Sequence, residues 1–150
     1  MRTLANRACQ QQIDIATTRA CQIIDITDSV EEFVARSHIA AGLVNVQSLH
    51  TTTGLIINEH ERLLLTDFER LLTRLAPVDV HYAHDHEPMR MTGERANGHS
   101  HCRALLLGSS ACLNVADGRL VLGRWQRILF VELDGPRQRS VSVVVLGGDQ

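Results

Sequence analysis

The chain has 150 residues, a formal charge of −2, 44% hydrophobic residues and only 3% aromatics. That length suits one domain, 1–150, with a real aliphatic core. The near-zero charge and the shortage of stacking rings argue against a nucleic-acid partner, and no apolar run approaches the roughly 20 residues of a membrane span.

Residues 1–7 have no apolar core of signal-peptide type, so the expected location is the cytoplasm. The four cysteines Cys9, Cys21, Cys102 and Cys112 form no CxxC pair and are expected as free buried thiols, with Cys102 beside His101 the one to watch.

In chain order, residues 10–17 alternate apolar and polar through Ile13 and Ile15 and predict a strand. Residues 19–26 predict a second, paired with the first as a hairpin. Asp28 and Glu31 give a capping-box-like start to a short helix carrying Val30, Phe33 and Val34, fading near Ser37 and stopping by Gly42. Strands are expected at 43–49 and 54–57. Leu64, Phe68, Leu71, Leu72 and Leu75 then share one helix face, with Asn58 and Glu61 as a cap and Pro77 as the stop.

From 78 to 98 no period survives. A loop of that length in a small domain is usually functional, and this one carries His81, His84, Asp85, His86 and Asn97. It is expected to be ordered where it delivers His84 and Asp85 and mobile in its outer part, 87–94. A short helix follows at 99–107, closed by Gly108. The rest reads as β, with strands at 111–115, 119–122, 128–133 and 140–146 and turns at Asp117-Gly118 and Asp134-Gly135-Pro136. Valine on both sides of the last strand predicts that both its faces are covered. The pattern predicts an α+β fold with an antiparallel or mixed sheet and two main helices.

Between Asn45 and Glu61 the chain runs from an apolar strand through His50-Thr51-Thr52-Thr53 to a second apolar run ending in Asn58-Glu59. Polar groups between buried segments need partners or a ligand, which marks His50, Asn58 and Glu59 as site candidates. His50, His84 and His101 each stand where a regular element meets a loop. Three neutral imidazoles plus a water make an open zinc site, although these three are 34 and 17 residues apart and only the fold can join them. On a helix His99 and His101 point about 200° apart, so one of them at most faces a site. Glu59 and Asp85 are the candidate catalytic acids, able to orient a histidine or move a proton. The turns at Gly108-Ser109-Ser110 and Gly135-Pro136-Arg137, with Arg103, Arg137 and Arg139, offer N–H donors for a phosphate. Trp125, the single tryptophan, is expected in core or interface packing.

Six segments in this order resemble the YjbQ-like family, often labelled secondary thiamine-phosphate synthase. They are His50-Thr51-Thr52 with Asn58-Glu59, Tyr82-x-His84-Asp85, Asn97-x-x-x-His101, Leu107-Gly108-Ser109-Ser110, Gly118-x-Leu120-x-Leu122-Gly123-x-Trp125-Gln126 and Glu132-x-Asp134-Gly135-Pro136-Arg137. The resemblance implies a compact α+β homotrimer whose pocket is lined by His50, His84 and His101 and holds a divalent metal, zinc by its ligands. It is the resemblance that selects His101 over His99. It also implies a weak joining of a pyrimidine diphosphate to a thiazole phosphate. Asn58, Asn97, Arg103, Ser109 and Arg137 are then the expected contacts to a small phosphorylated metabolite. Arg103 stands where the family often carries lysine.

Three classes of function remain open on the sequence. One is a metal-binding enzyme of phosphorylated metabolites, as a synthase or a metal-assisted hydrolase. Another is a trimer that binds a metal or metabolite without turnover. The third is an interaction module whose histidines are hydrogen-bonded core residues.

Overall fold

The computed structural model describes residues 6–86 and 95–148; the expectation of mobility at 87–94 lies outside them. Period-two sequence at the two ends forms the longest strands, β1 (Asn6–Ala16) and β8 (Gln138–Gly148), which pair antiparallel over their full length. Beyond β8 lie β3 (Ala41–Ser48), β5 (Ser110–Ala116) and the short β6 (Arg119–Leu120), in the order β1-β8-β3-β5-β6. A second sheet holds β2 (Gln22–Asp25), β7 (Arg127–Glu132) and β4 (Thr53–Asn58), in the order β2-β7-β4. All pairings are antiparallel. The hairpin expected between the first two strands does not form. The chain turns through Cys21, φ 53°, and β2 joins the other sheet against β7.

The inner faces of the two sheets meet in one core. Val44, Val46, Val141, Val143 and Val145 come from the large sheet, and Leu55, Ile128 and Phe130 from the small one. Helix α1 (Thr27–Ser37) closes that core with Val30, Phe33 and Val34. Two further helices, α2 (Arg62–Leu75) and α3 (Gly98–Leu107), lie on the other side of the small sheet, where Leu72, Ala104 and Leu107 pack with Val131 and Leu133. Among the described residues there are therefore three α-helices rather than two main ones, and two sheets rather than one. A one-turn 3-10 helix at Ala83–His86 interrupts the long loop.

Coverage on both faces falls to β7, not to the last strand. Every residue of β7 after Arg127 is buried because sheet lies on one side and helices on the other. In β8, Val141, Val143 and Val145 are fully buried, whereas Ser140, Ser142 and Val144 are only half-buried on the open side. Where β3 crosses β8, Gly42 sits opposite Gly147. A Cβ on Gly42 would overlap the Leu146 carbonyl oxygen, so a residue without a side chain is required.

Helix starts also depart from the sequence reading. Asp25, not Asp28, opens α1, its Oδ1 accepting from Thr27 N at 2.9 Å and Thr27 Oγ1 at 2.6 Å, while Asp28 pairs with Arg127 at 2.7 Å. Glu61 caps α2 by accepting from Leu63 N and Leu64 N, and Asn58 instead accepts from Glu59 N at 2.9 Å. Trp125 is 60% exposed under the Arg124 guanidinium rather than packed in the core. Among the described residues no helix is long and apolar enough to cross a membrane.

Candidate functional site

The frame of the site is a buried ion pair at the crossover from β7 to β8. Glu132 ends β7 fully buried, and Arg139 starts the apolar part of β8 at 6% exposure. Arg139 Nε donates to Glu132 Oε2 at 2.6 Å, and Nη2 donates to Oε1 at 2.7 Å and to Thr52 Oγ1 at 3.0 Å. The same carboxylate accepts from Asp134 N at 2.9 Å, Gly135 N at 2.8 Å and the Thr17 hydroxyl at 3.1 Å. Burial pushes the Glu132 pKa up, but the Arg139 bonds and the two backbone N–H groups outweigh it, and the carboxyl is held below its ordinary range. The turn 133–137 is thereby fixed, and with it Asp134 and Arg137.

Asp134 is the second acid of the frame. Its Oδ2 accepts from Arg137 Nε at 3.0 Å and Nη2 at 2.8 Å, and from Asn97 Nδ2 at 3.4 Å. Arg95 Nη2 donates to the Asp134 carbonyl at 2.9 Å. Arg137 remains 43% exposed. A guanidinium has five N–H donors, and Asp134 takes two of them.

Two histidines are brought together by a cap supplied from outside the helix. The N-cap residue of α3, Asn97, makes no side-chain cap bond. Asp85 from the 3-10 turn replaces it, its Oδ1 accepting from Asn97 N at 2.9 Å and Gly98 N at 2.8 Å. This clamp sets the turn against α3, and the His84 and His101 rings meet edge to face with centroids 4.7 Å apart. His99 faces Tyr82 instead, at 6.4 Å. The expected divergence of the two helix histidines is therefore present. Burial, then the neighbouring His84, holds the His101 pKa below its ordinary value. Its ring is thus neutral and available as a base or a ligand at neutral pH.

The resulting cleft, about 310 Å³, is lined by His84, Asn97 and His101 on one side. Thr51, Thr52, Asp134, Arg137 and Arg139 line the other. His50 lies beside this frame, with its Nε2 accepting the Ser140 N–H at 2.8 Å. Burial and then Arg139 lower its pKa, and in the neutral ring the proton sits on Nδ1. A three-histidine metal set is consequently not assembled, because the nitrogen His50 would offer is already bonded. Among the described residues no group of three or more His, Cys, Asp or Glu side chains is arranged to hold a metal ion.

Several expected contacts lie elsewhere. β4 rises about 3.3 Å per residue, which carries Asn58 and Glu59 to its far end, away from Thr52. Asn58 lines an apolar cleft under α2, and Glu59 lines another with Asp25, His60 and Arg127. Arg103 points away from His101, buried against Ala76 and Cys21. Ser109 contributes its carbonyl to Ser48 N at 2.8 Å and does not line the cleft. Arg139 lines the cleft but is clamped by Glu132. Glu132, Asp134 and Thr52 had no role assigned from sequence. The available signal was a carboxylate ending one apolar run and an arginine beginning the next, since opposite charges bordering buried strands must find each other.

A sequence profile of the family described as "UPF0047 protein YjbQ-like" matches residues 11–148. A UPF0047 protein of Methanothermobacter thermautotrophicus is 42% identical over 137 residues, covering 91% of each chain. One from Archaeoglobus fulgidus is 44% identical over 135 residues, 90% of this chain and 99% of that one. The crystal structure of a YbjQ-like protein of unknown function from Sulfolobus solfataricus superposes with a TM-score of 0.87 at 34% identity, covering 95% of this chain and 99% of that one. A hypothetical protein from Aeropyrum pernix gives 0.83 at 35%, over 92% and 98%.

Proposed function

The chain belongs to the YjbQ-like UPF0047 family, and from that premise we propose that its cleft binds the phosphate of a small metabolite and moves a proton beside it. The observation carrying this reading is Arg137, half-exposed, oriented by Asp134 and set in the same cleft as the contacting His84 and His101. Phosphate oxygens take parallel N–H bonds from such a guanidinium, and the Asn97 amide and Thr51 hydroxyl add polar groups. His101, neutral, accepts a proton from the attacking group, and Arg137 stabilises charge on the phosphate that departs. Joining a pyrimidine diphosphate to a thiazole phosphate uses Arg137 for the departing diphosphate and no base, because the attacking thiazole nitrogen carries no proton. Hydrolysis uses both groups, with water as the attacker, and binding without turnover needs only the arginine.

Arg137→Ala should weaken binding of inorganic diphosphate, measured by calorimetry, about 10- to 100-fold, the share of one charge-assisted contact. Equal affinity in the variant would remove the phosphate site. Incubating the protein with a panel of phosphorylated metabolites and looking for products separates enzyme from binder.

A second reading rests on the edge-to-face contact of His84 and His101. Two imidazoles in contact are the start of a zinc or other transition-metal site. That reading requires a third ligand, and His50 supplies it only by giving up the Ser140 N–H.

We also propose a homotrimer. The open face of the large sheet carries Gln10, Gln12, Asn45, Gln47, Ser142 and Val144 in register, with Leu43 and Leu146 about half-exposed. Such a weakly charged face suits contact with another copy better than contact with water. Sedimentation at micromolar concentration should show a trimer, and a monomer alone would end this proposal.

A further inference from the structure

Outside the cleft, Arg103 and Cys21 meet beneath the C-terminal end of α2. Arg103 is 2% exposed. Its Nε donates to the Ala76 carbonyl at 3.0 Å, and its Nη1 donates to Cys21 Sγ at 3.0 Å. Nη2 is buried and has no hydrogen-bond partner among the described residues. A buried N–H group of a cation is costly unless an acceptor reaches it. Cys21 is a free, half-buried thiol in the turn between β1 and β2.

We propose that Cys21 is a site of reversible oxidation by a hydroperoxide, with Arg103 promoting the step and holding the product. The sulfur donates an electron pair to one peroxide oxygen and the O–O bond breaks. With hydrogen peroxide the other oxygen takes the thiol proton and leaves as water. Sulfur loses two electrons to become sulfenic acid, and the peroxide gains them. Negative charge builds on the departing oxygen, and the guanidinium already bonded to the sulfur stabilises it. The new oxygen on sulfur then supplies the acceptor that Nη2 lacks. A thiol reductant returns the cysteine to its starting state.

Cys102 directly precedes Arg103 in sequence and is exposed, in contrast to the half-buried Cys21, which makes it an internal comparison. The full chain is treated with hydrogen peroxide and a 1,3-dione that traps sulfenic acid, and labelled peptides are quantified by mass spectrometry. On exposure alone Cys102 labels first. We expect Cys21 to label about tenfold faster than Cys102, the rate gain from one charge-assisted hydrogen bond. Labelling of wild-type Cys21 no faster than Cys102 overturns the proposal without any variant. Arg103→Met should bring Cys21 down to the Cys102 rate or below. Arg103→Lys keeps the charge without the fork, should fall between, and serves if the methionine variant fails to fold by circular dichroism. An unchanged Cys21 rate in either folded variant also overturns the proposal.

Discussion

Glu132→Gln should cost about 3–5 kcal/mol of unfolding free energy, the usual penalty for breaking a buried ion pair from one side. The substitution keeps the shape of the side chain but removes the charge opposing Arg139, and it turns an N–H group toward guanidinium donors already in place. The loss is a large part of the 5–15 kcal/mol that holds a typical domain together. Urea midpoints measure it. Replacing both partners, Glu132→Met with Arg139→Leu, should recover only part of the loss, because no charge is then left buried alone but the Asp134 and Gly135 N–H groups lose their acceptor. A single variant within 1 kcal/mol of wild type, a bound set by that range, would mean that the pair does not frame the turn.

The pH dependence has a definite sign. The native Glu132 carboxyl is held below its ordinary range, so the unfolded chain binds more protons than the folded one. Its contribution is present above about pH 4.3 and is lost as pH falls through the lower native value. His50, His99 and His101 also have lowered values, burial being the first cause in each. Their contribution begins to erode below about pH 6.5, so stability should decline in two acid stages.

His101→Ala should abolish the function of the cleft, and His99→Ala should spare it. The two side chains leave α3 about 200° apart, and their neighbours differ accordingly, His84 for one and Tyr82 for the other. If the protein turns over a phosphorylated substrate, loss of the His101 base should cost about 10²–10⁴-fold in rate. If it holds zinc, metal per folded chain should drop in the His101 variant only. Glu59→Gln, which the sequence marks as a site change, should leave both readouts unchanged, because Glu59 lies at the far end of β4. Equal losses in the two histidine variants would contradict the helix geometry, and full retention of turnover and metal in His101→Ala would dismiss the cleft as the site of either.

Local pattern made the strands and helices legible, because each buries one face at its own period. Val30, Phe33 and Val34 mark α1, and Ile13 and Ile15 mark β1. Pairing was not legible. The alternation in β1 fits any partner, and the one it takes begins at Gln138. The histidine split on α3 followed from geometry alone, whereas the cap that positions α3 did not, since Asp85 reaches it from a loop without a period. Arg103 misled for another reason. α3 buries Ser100 and Arg103 while Leu105 and Leu106 stay 84% and 55% exposed, the reverse of the apolar-inside rule. The Asn58-Glu59 pair is a site candidate on sequence because it is polar beside an apolar run, but β4 runs on through Asn58 and carries the pair to the end remote from Thr52.

The place of β8 sets an order on synthesis. Of the described strands it leaves the ribosome last, yet it lies between β1 and β3 in the large sheet. Until it emerges, β1 has no neighbour among the described strands of that sheet, and the β3 side of the β3-β5-β6 set is unpaired. The small sheet has its three strands once β7 is made, although its inner face and Glu132 still wait for β8. At about 5–20 residues per second, β1 waits several seconds as an open strand for its partner. During that wait the charge of Asp14, on the same side as Gln10 and Gln12, opposes pairing with a wrong strand.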